Sequence, residues 1–130
     1  MFLKSKKIIL ILLVLVGLAF FSITVLFDDG VDQINFDSDV WKNTPAEFSL
    51  ESTRLKMVDD FLDKYFIVGM FRDEVISLIG EPDQTEYFKS YEMVYMLGQE
   101  TDSYFAIDSQ WLVLDLNDSE RVVSYNIVSD

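Results

Sequence analysis

The chain opens on one long apolar run, residues 8–27 (IILILLVLVGLAFFSITVLF), and has no second run of that length. Twenty uncharged residues at about 1.5 Å each predict a helix able to span a hydrocarbon layer of roughly 30 Å. Lys4, Lys6 and Lys7 precede the run and Asp28 and Asp29 follow it. The positive-inside rule then predicts a single-pass inner or plasma membrane protein with residues 1–7 in the cytoplasm and the remainder extracytoplasmic, periplasmic in a Gram-negative cell. The run is longer than the roughly 7–15 residues of a signal-peptide core and no small-x-small site follows, so it reads as a signal anchor rather than a cleaved leader. Residues 28–43 (DDGVDQINFDSDVWKN) mix acids with isolated apolar positions and show no helical period. They read as an acidic spacer, with Ile34, Phe36, Val40 and Trp41 available to clip its second half onto a folded domain.

Residues 44–130 carry the periodicities of that domain. Thr44, Pro45 and Glu47 offer a hydroxyl cap, a proline at the first helical position and a glutamate at the third. Phe48, Leu55 and Leu62 recur every seven residues beside Val58 and Tyr65, which predicts an amphipathic helix starting between Pro45 and Thr53 and ending near Tyr65. FRDEVISLIG (71–80) predicts a second, shorter helix, with acids in its first turn, Gly80 as its left-handed stop and Pro82 preventing continuation. The period then changes. YEMVYML (91–97), SQWLVLDL (109–116) and RVVSYNIV (121–128) are aromatic and β-branched segments that predict strands, the last two joined as a hairpin by Asn117–Glu120. The fold expected is α+β: a transmembrane helix, then a two-helix hairpin packed on a three-stranded antiparallel sheet.

Composition narrows the chemistry. Histidine and cysteine are both absent, which removes the common zinc, haem and iron–sulfur ligand sets and the nucleophile–histidine pairs of hydrolases. No cofactor and no metal are therefore expected, and any catalysis would have to rely on carboxylates. Residues 28–130 hold seven basic against 23 acidic residues, a formal charge of −16, which argues against nucleic acid as a partner. Asp59, Asp60 and Asp63 crowd one helix face and read as solvated charges. Asp115, Asn117 and Ser119 imitate the start of a calcium loop but lack its glycine and its twelfth-position glutamate.

The run FIVGMFRDEVISLIGEPDQ, with a strand ending YMLG and the hairpin WLVLDLNDSERVVSYNI, resembles the BamE-like (SmpA/OmlA) domains of outer-membrane assembly lipoproteins over roughly residues 55–128. Gly69, Met70, Glu74, Val75, Leu78, Gly80 and Pro82 carry the motif. The resemblance implies a helical hairpin on a three-stranded antiparallel sheet and assigns no binding residue. Phe71 stands where members carry the Ser or Thr that caps the second helix, and the lipid-accepting cysteine is missing.

Of the 19 aromatic residues, 15 follow the apolar run. Most suit a core, which leaves Tyr87, Phe88, Tyr104 and Phe105, in the loops flanking the first strand, as the surface for a protein partner. The function expected is a membrane-anchored, non-catalytic protein-interaction module serving envelope assembly or maintenance. A carboxylate-dependent or metal-assisted enzyme and an inhibitor or immunity-like protein stand as alternatives.

Overall fold

A computed structural model describes residues 6–16, 31–101, 104, 105 and 107–130. Helix α1 is described over residues 6–16, and its apolar side chains from Ile8 to Val16 are all exposed. Here the first expectation is corrected: among the described residues no helix is long and apolar enough to cross a membrane. The described part of α1, eleven residues, accounts for about 16 Å of that roughly 30 Å layer. The rest of that run, residues 17–27, lies outside the described residues. The transmembrane anchor, the single-pass placement and the two sides assigned from it fall together.

The remaining elements run α2 (Ser38–Asn43), α3 (Thr53–Lys64), α4 (Arg72–Ile79), β1 (Met93–Gln99), β2 (Ser109–Leu116) and β3 (Val122–Ser129). The strands form an antiparallel meander in the order β1-β2-β3, the α+β arrangement read from the change of period. Met93↔Leu114, Tyr95↔Leu112 and Met96↔Trp111 set one register, and Trp111↔Val128, Leu112↔Ile127 and Leu114↔Tyr125 the other. Alternation along each strand sends Met93, Tyr95, Leu97, Leu112 and Leu114 to one face, where they are fully buried against the helices. Leu55, Met57, Val58 and Phe61 of α3 and Val75 and Ile79 of α4 complete that core.

Residues 28–43, read as a spacer, contain α2. Asp37 caps it by accepting a hydrogen bond from the Val40 N–H (3.0 Å), a signal that a search for helical period misses in a helix of six residues. Phe36 and Trp41 enter the core, whereas Ile34 and Val40 stay largely exposed. Phe36 packs on Trp41, Phe61 and Tyr65 with ring centroids 4.8–5.9 Å apart. Two polar contacts from α2 satisfy carbonyls at the end of α4: Ser38 Oγ donates to Leu78 O (2.6 Å) and Lys42 Nζ to Ser77 O (3.0 Å).

The cap residues Thr44, Pro45 and Glu47 start no helix. Residues 48–51 are turns and bends, Phe48 is half exposed, and α3 begins at Thr53. A buried Ser52 explains the delay: its hydroxyl donates to Leu97 O (2.5 Å), tying the turn to β1 before the helix begins. The same turn needs Gly98, because a Cβ there would lie 2.9 Å from both Ser49 O and Ser52 Cβ. α4 follows its expected bounds closely. Glu74 accepts a hydrogen bond from the Phe71 N–H (2.8 Å), the half of a capping box that needs no hydroxyl at the cap. Gly80 ends the helix at φ +81°, and the Tyr95 hydroxyl donates to its carbonyl (2.8 Å). Burial, then the charges of Glu81 and Asp83, push the Tyr95 hydroxyl well above its ordinary range, so it stays a donor.

Candidate interaction surface

Among the described residues, no helix covers the face of the sheet turned away from α2, α3 and α4. Val94, Trp111 and Val113 form a small second core there, with Phe88, Tyr91, Met96 and Val128 packed against it. Its cover is the loop from α4 to β1. Asp83 sets that loop on the edge of β1: its N–H donates to Val94 O (2.8 Å), and its carboxylate accepts from the Met96 N–H (2.8 Å) and from Arg54 (3.3 Å). The guanidinium of Arg54, itself buried, lies 5.7 Å from the centre of the Trp41 ring. Beyond Asp83 the chain carries Tyr87 and Phe88 over Trp111, with ring centroids 5.9 and 6.1 Å from the indole. Phe88 adopts φ +57°, a left-handed conformation that costs a non-glycine residue roughly 1–2 kcal/mol and that its packing on Trp111 must offset.

The four aromatic residues singled out in the sequence divide into two pairs. Tyr87 is 55% exposed and Phe88 half-buried, both resting on Trp111. Tyr104 and Phe105 are 95% and 76% exposed, meeting edge to face at 5.1 Å on the connection between β1 and β2. Gln99↔Ser109 is the last strand pair before that connection, and Trp111 stands two residues beyond it on β2, about 7 Å along the strand. The two pairs therefore occupy one end of the sheet. Ile107, 81% exposed on the same connection, and Trp111, the platform, belong to this surface and were absent from the sequence-based set. Ile107 gave a signal in being an apolar residue between Phe105 and Asp108. Trp111 gave none, because a tryptophan in an apolar strand looks the same on either face.

A depression of about 760 Å3 opens beside Tyr87 and Phe88 and includes Glu81, Asp83, Glu86 and Glu92 in its lining. Three of these carboxylates have structural partners: Asp83 as above, Glu86 with Lys89, and Glu92 with the Leu116 N–H (2.9 Å). The acids of α3 are similarly engaged in part. Asp60 accepts from the Phe36 N–H (2.6 Å) and pairs with Lys64 (2.9 Å), which holds the stretch before α2 against the core. Lys64, then the Phe36 N–H, draw its carboxyl below the ordinary range, against an opposing effect of burial. The calcium-like series builds the β2–β3 turn. Asn117 Oδ1 accepts from the Ser119 and Arg121 N–H groups (3.0 and 3.1 Å), and Asp115 accepts from the Ser124 hydroxyl (3.0 Å).

The motif residues of the resemblance are structural. Gly69 and Met70 bond the backbone of Val122, Glu74 caps α4, Val75 is fully buried, Leu78 packs on the core, Gly80 ends α4 and Pro82 follows in the loop. Comparison with family models, with curated proteins and with solved structures finds no match to this chain.

Proposed function

We propose that the chain is a non-catalytic protein-interaction module whose contact surface is the aromatic end of the sheet. The observation that carries this reading is the exposure of Tyr104, Phe105 and Ile107 on a connection between two rigid strands, at the same end as the half-exposed Tyr87. Large rings at that level of exposure lose apolar area to water, and a partner that covers them recovers it. Trp111 and the Asp83 anchor fix Tyr87 and Phe88 in place beforehand, so docking would order few side chains. The acids, for their part, are largely committed to holding loops and helix ends, which suits a binding role better than acid–base chemistry.

Capture of a partner by the full chain, compared across variants, tests the reading. Tyr104→Ala, Phe105→Ala and Tyr87→Ala should each weaken capture by about 1–2 kcal/mol, roughly 5–30-fold in Kd, while circular dichroism stays unchanged. Loss of capture on charge reversal at Asp59 and Asp63, with the ring variants indifferent, would instead move the interface to the acidic face of α3.

A further inference from the structure

The two edges of the sheet are finished differently. Along β1 the outer backbone groups are occupied: Val94 O by the Asp83 N–H, the Met96 N–H by the Asp83 carboxylate, Leu97 O by Ser52 Oγ, and the Gln99 N–H by Ser49 O. Along β3 the described residues cover only the first residue of the strand. Val122 donates to Met70 O (2.9 Å) and accepts from the Gly69 N–H (2.8 Å). From Ser124 to Val128, no described backbone group outside β2 bonds to the strand. The Asp130 N–H bonds inward to Ser109 O, and in an antiparallel ladder every second residue faces the same way. The N–H and C=O groups of Tyr125 and Ile127 therefore point off the open edge.

β3 (VVSYNIVS) has no charge, proline or glycine, and its register shift falls at Val123, so from Ser124 onward it lacks the devices with which natural sheets keep foreign strands off their edges. Tyr125 and Ile127 pair across the ladder with the fully buried Leu114 and Leu112, so their half-exposed side chains form the open rim of the helix-covered core. Charge around the strand differs between its ends. At its start Asp118 stands with an ion pair of Arg72 and Glu120 and with Arg121, whose guanidinium lies 3.8 Å from the centre of the Phe71 ring and donates to Gly69 O. Asp108 and Asp130 stand at its end.

We propose that the edge of β3 receives an extended segment of another protein as a fourth strand, and that this segment alternates apolar side chains and carries Lys or Arg at the end that meets Asp108 and Asp130. Backbone bonds to Tyr125 and Ile127 supply the pairing, and apolar residues opposite them cover the rim. A basic end meets Asp108 and Asp130, whereas a second copy of this chain brings a net charge of −13 against the same net charge.

The test titrates the full chain with a synthetic peptide of alternating valine and threonine between lysine pairs, following amide hydrogen exchange. Exchange at Tyr125 and Ile127 should slow by about tenfold or more at saturation, with Ser124 and Asn126 unchanged. A glutamate-flanked peptide should bind at least about tenfold more weakly, and a lysine-flanked peptide N-methylated at alternate positions should not bind. Ile127→Pro, at an outward-facing position, should leave the β2–β3 ladder intact and remove binding. If that variant does not fold, the peptide series on the unaltered chain decides alone. Three results would overturn the proposal: no slowing at Tyr125 and Ile127, equal binding of the two charge types, or a dimer in sedimentation whose Tyr125 and Ile127 amides are already protected without peptide.

Discussion

The two faces of the sheet are closed by different means. Three helices cover one, over a core in which Trp41, Phe61, Val75, Tyr95, Leu112 and Leu114 are almost wholly out of water. A loop covers the other, over three buried residues. Each cover is secured by a carboxylate taking a backbone N–H: Asp60 takes that of Phe36 on the helix side, and Asp83 that of Met96 on the loop side. Stability thus concentrates on one face, which leaves the other free to present aromatic rings that a tight core would have consumed.

The contrast is most exposed to refutation in the cores themselves. Phe61→Ala, which empties the centre of the aromatic cluster, should cost about 3–5 kcal/mol, read as a lowered urea midpoint. Trp111→Ala removes a larger ring from the loop-covered face, yet it should cost less, about 3 kcal/mol, because the loop can settle into the space. Its loss of amide protection should be confined to residues 84–92. A cost matching that of Phe61→Ala would show two cores of equal rank. Asp83→Ala strips the loop anchor and leaves the Met96 N–H and Arg54 without their acceptor, for about 2 kcal/mol. If the Tyr87 and Phe88 amides were no less protected in that variant, the anchor would lie elsewhere.

The smallest effect concerns the opposite anchor and pH. Asp60 titrates below its ordinary value in the folded chain, so the stability it contributes is present above the unfolded carboxyl pKa of about 3.9 and is lost as pH falls through the lowered folded value. Exchange at the Phe36 amide, corrected for its intrinsic rate, should be flat above about pH 4 and rise below it. Asp60→Asn should abolish that dependence. A flat profile in the unaltered chain would mean that the Phe36 contact does not need the charge.

Much of the fold could be read from local rules because local rules decided it. SQWLVLDL forms β2 at its expected bounds, and FRDEVISLIG gives α4 within a residue at each end, since alternation, acids and Gly80 all point the same way. Thr44–Glu47 had an equally good local signal and starts no helix, because the pairing of Ser52 with β1 is a tertiary fact. Within the site, the exposure of Tyr104 and Phe105 could be anticipated from their loop. The resting of Phe88 on Trp111 could not, because it depends on which face of β2 turns from the helices, and that is decided only once the sheet is assembled.

Trp41 and Trp111 are the chain's two tryptophans, and they fall one to each face. Trp41 is wholly buried, and its indole N–H has no hydrogen-bond acceptor among the described residues. Trp111 donates to Asp130 (3.2 Å) beneath Tyr87 and Phe88. Fluorescence therefore offers a separate gauge for each side. In a chain keeping Trp111 alone, with Trp41→Phe, emission should shift when the loop lifts or a partner settles on Tyr87. In the reciprocal Trp111→Phe chain, emission should stay blue until the helix-covered core itself opens.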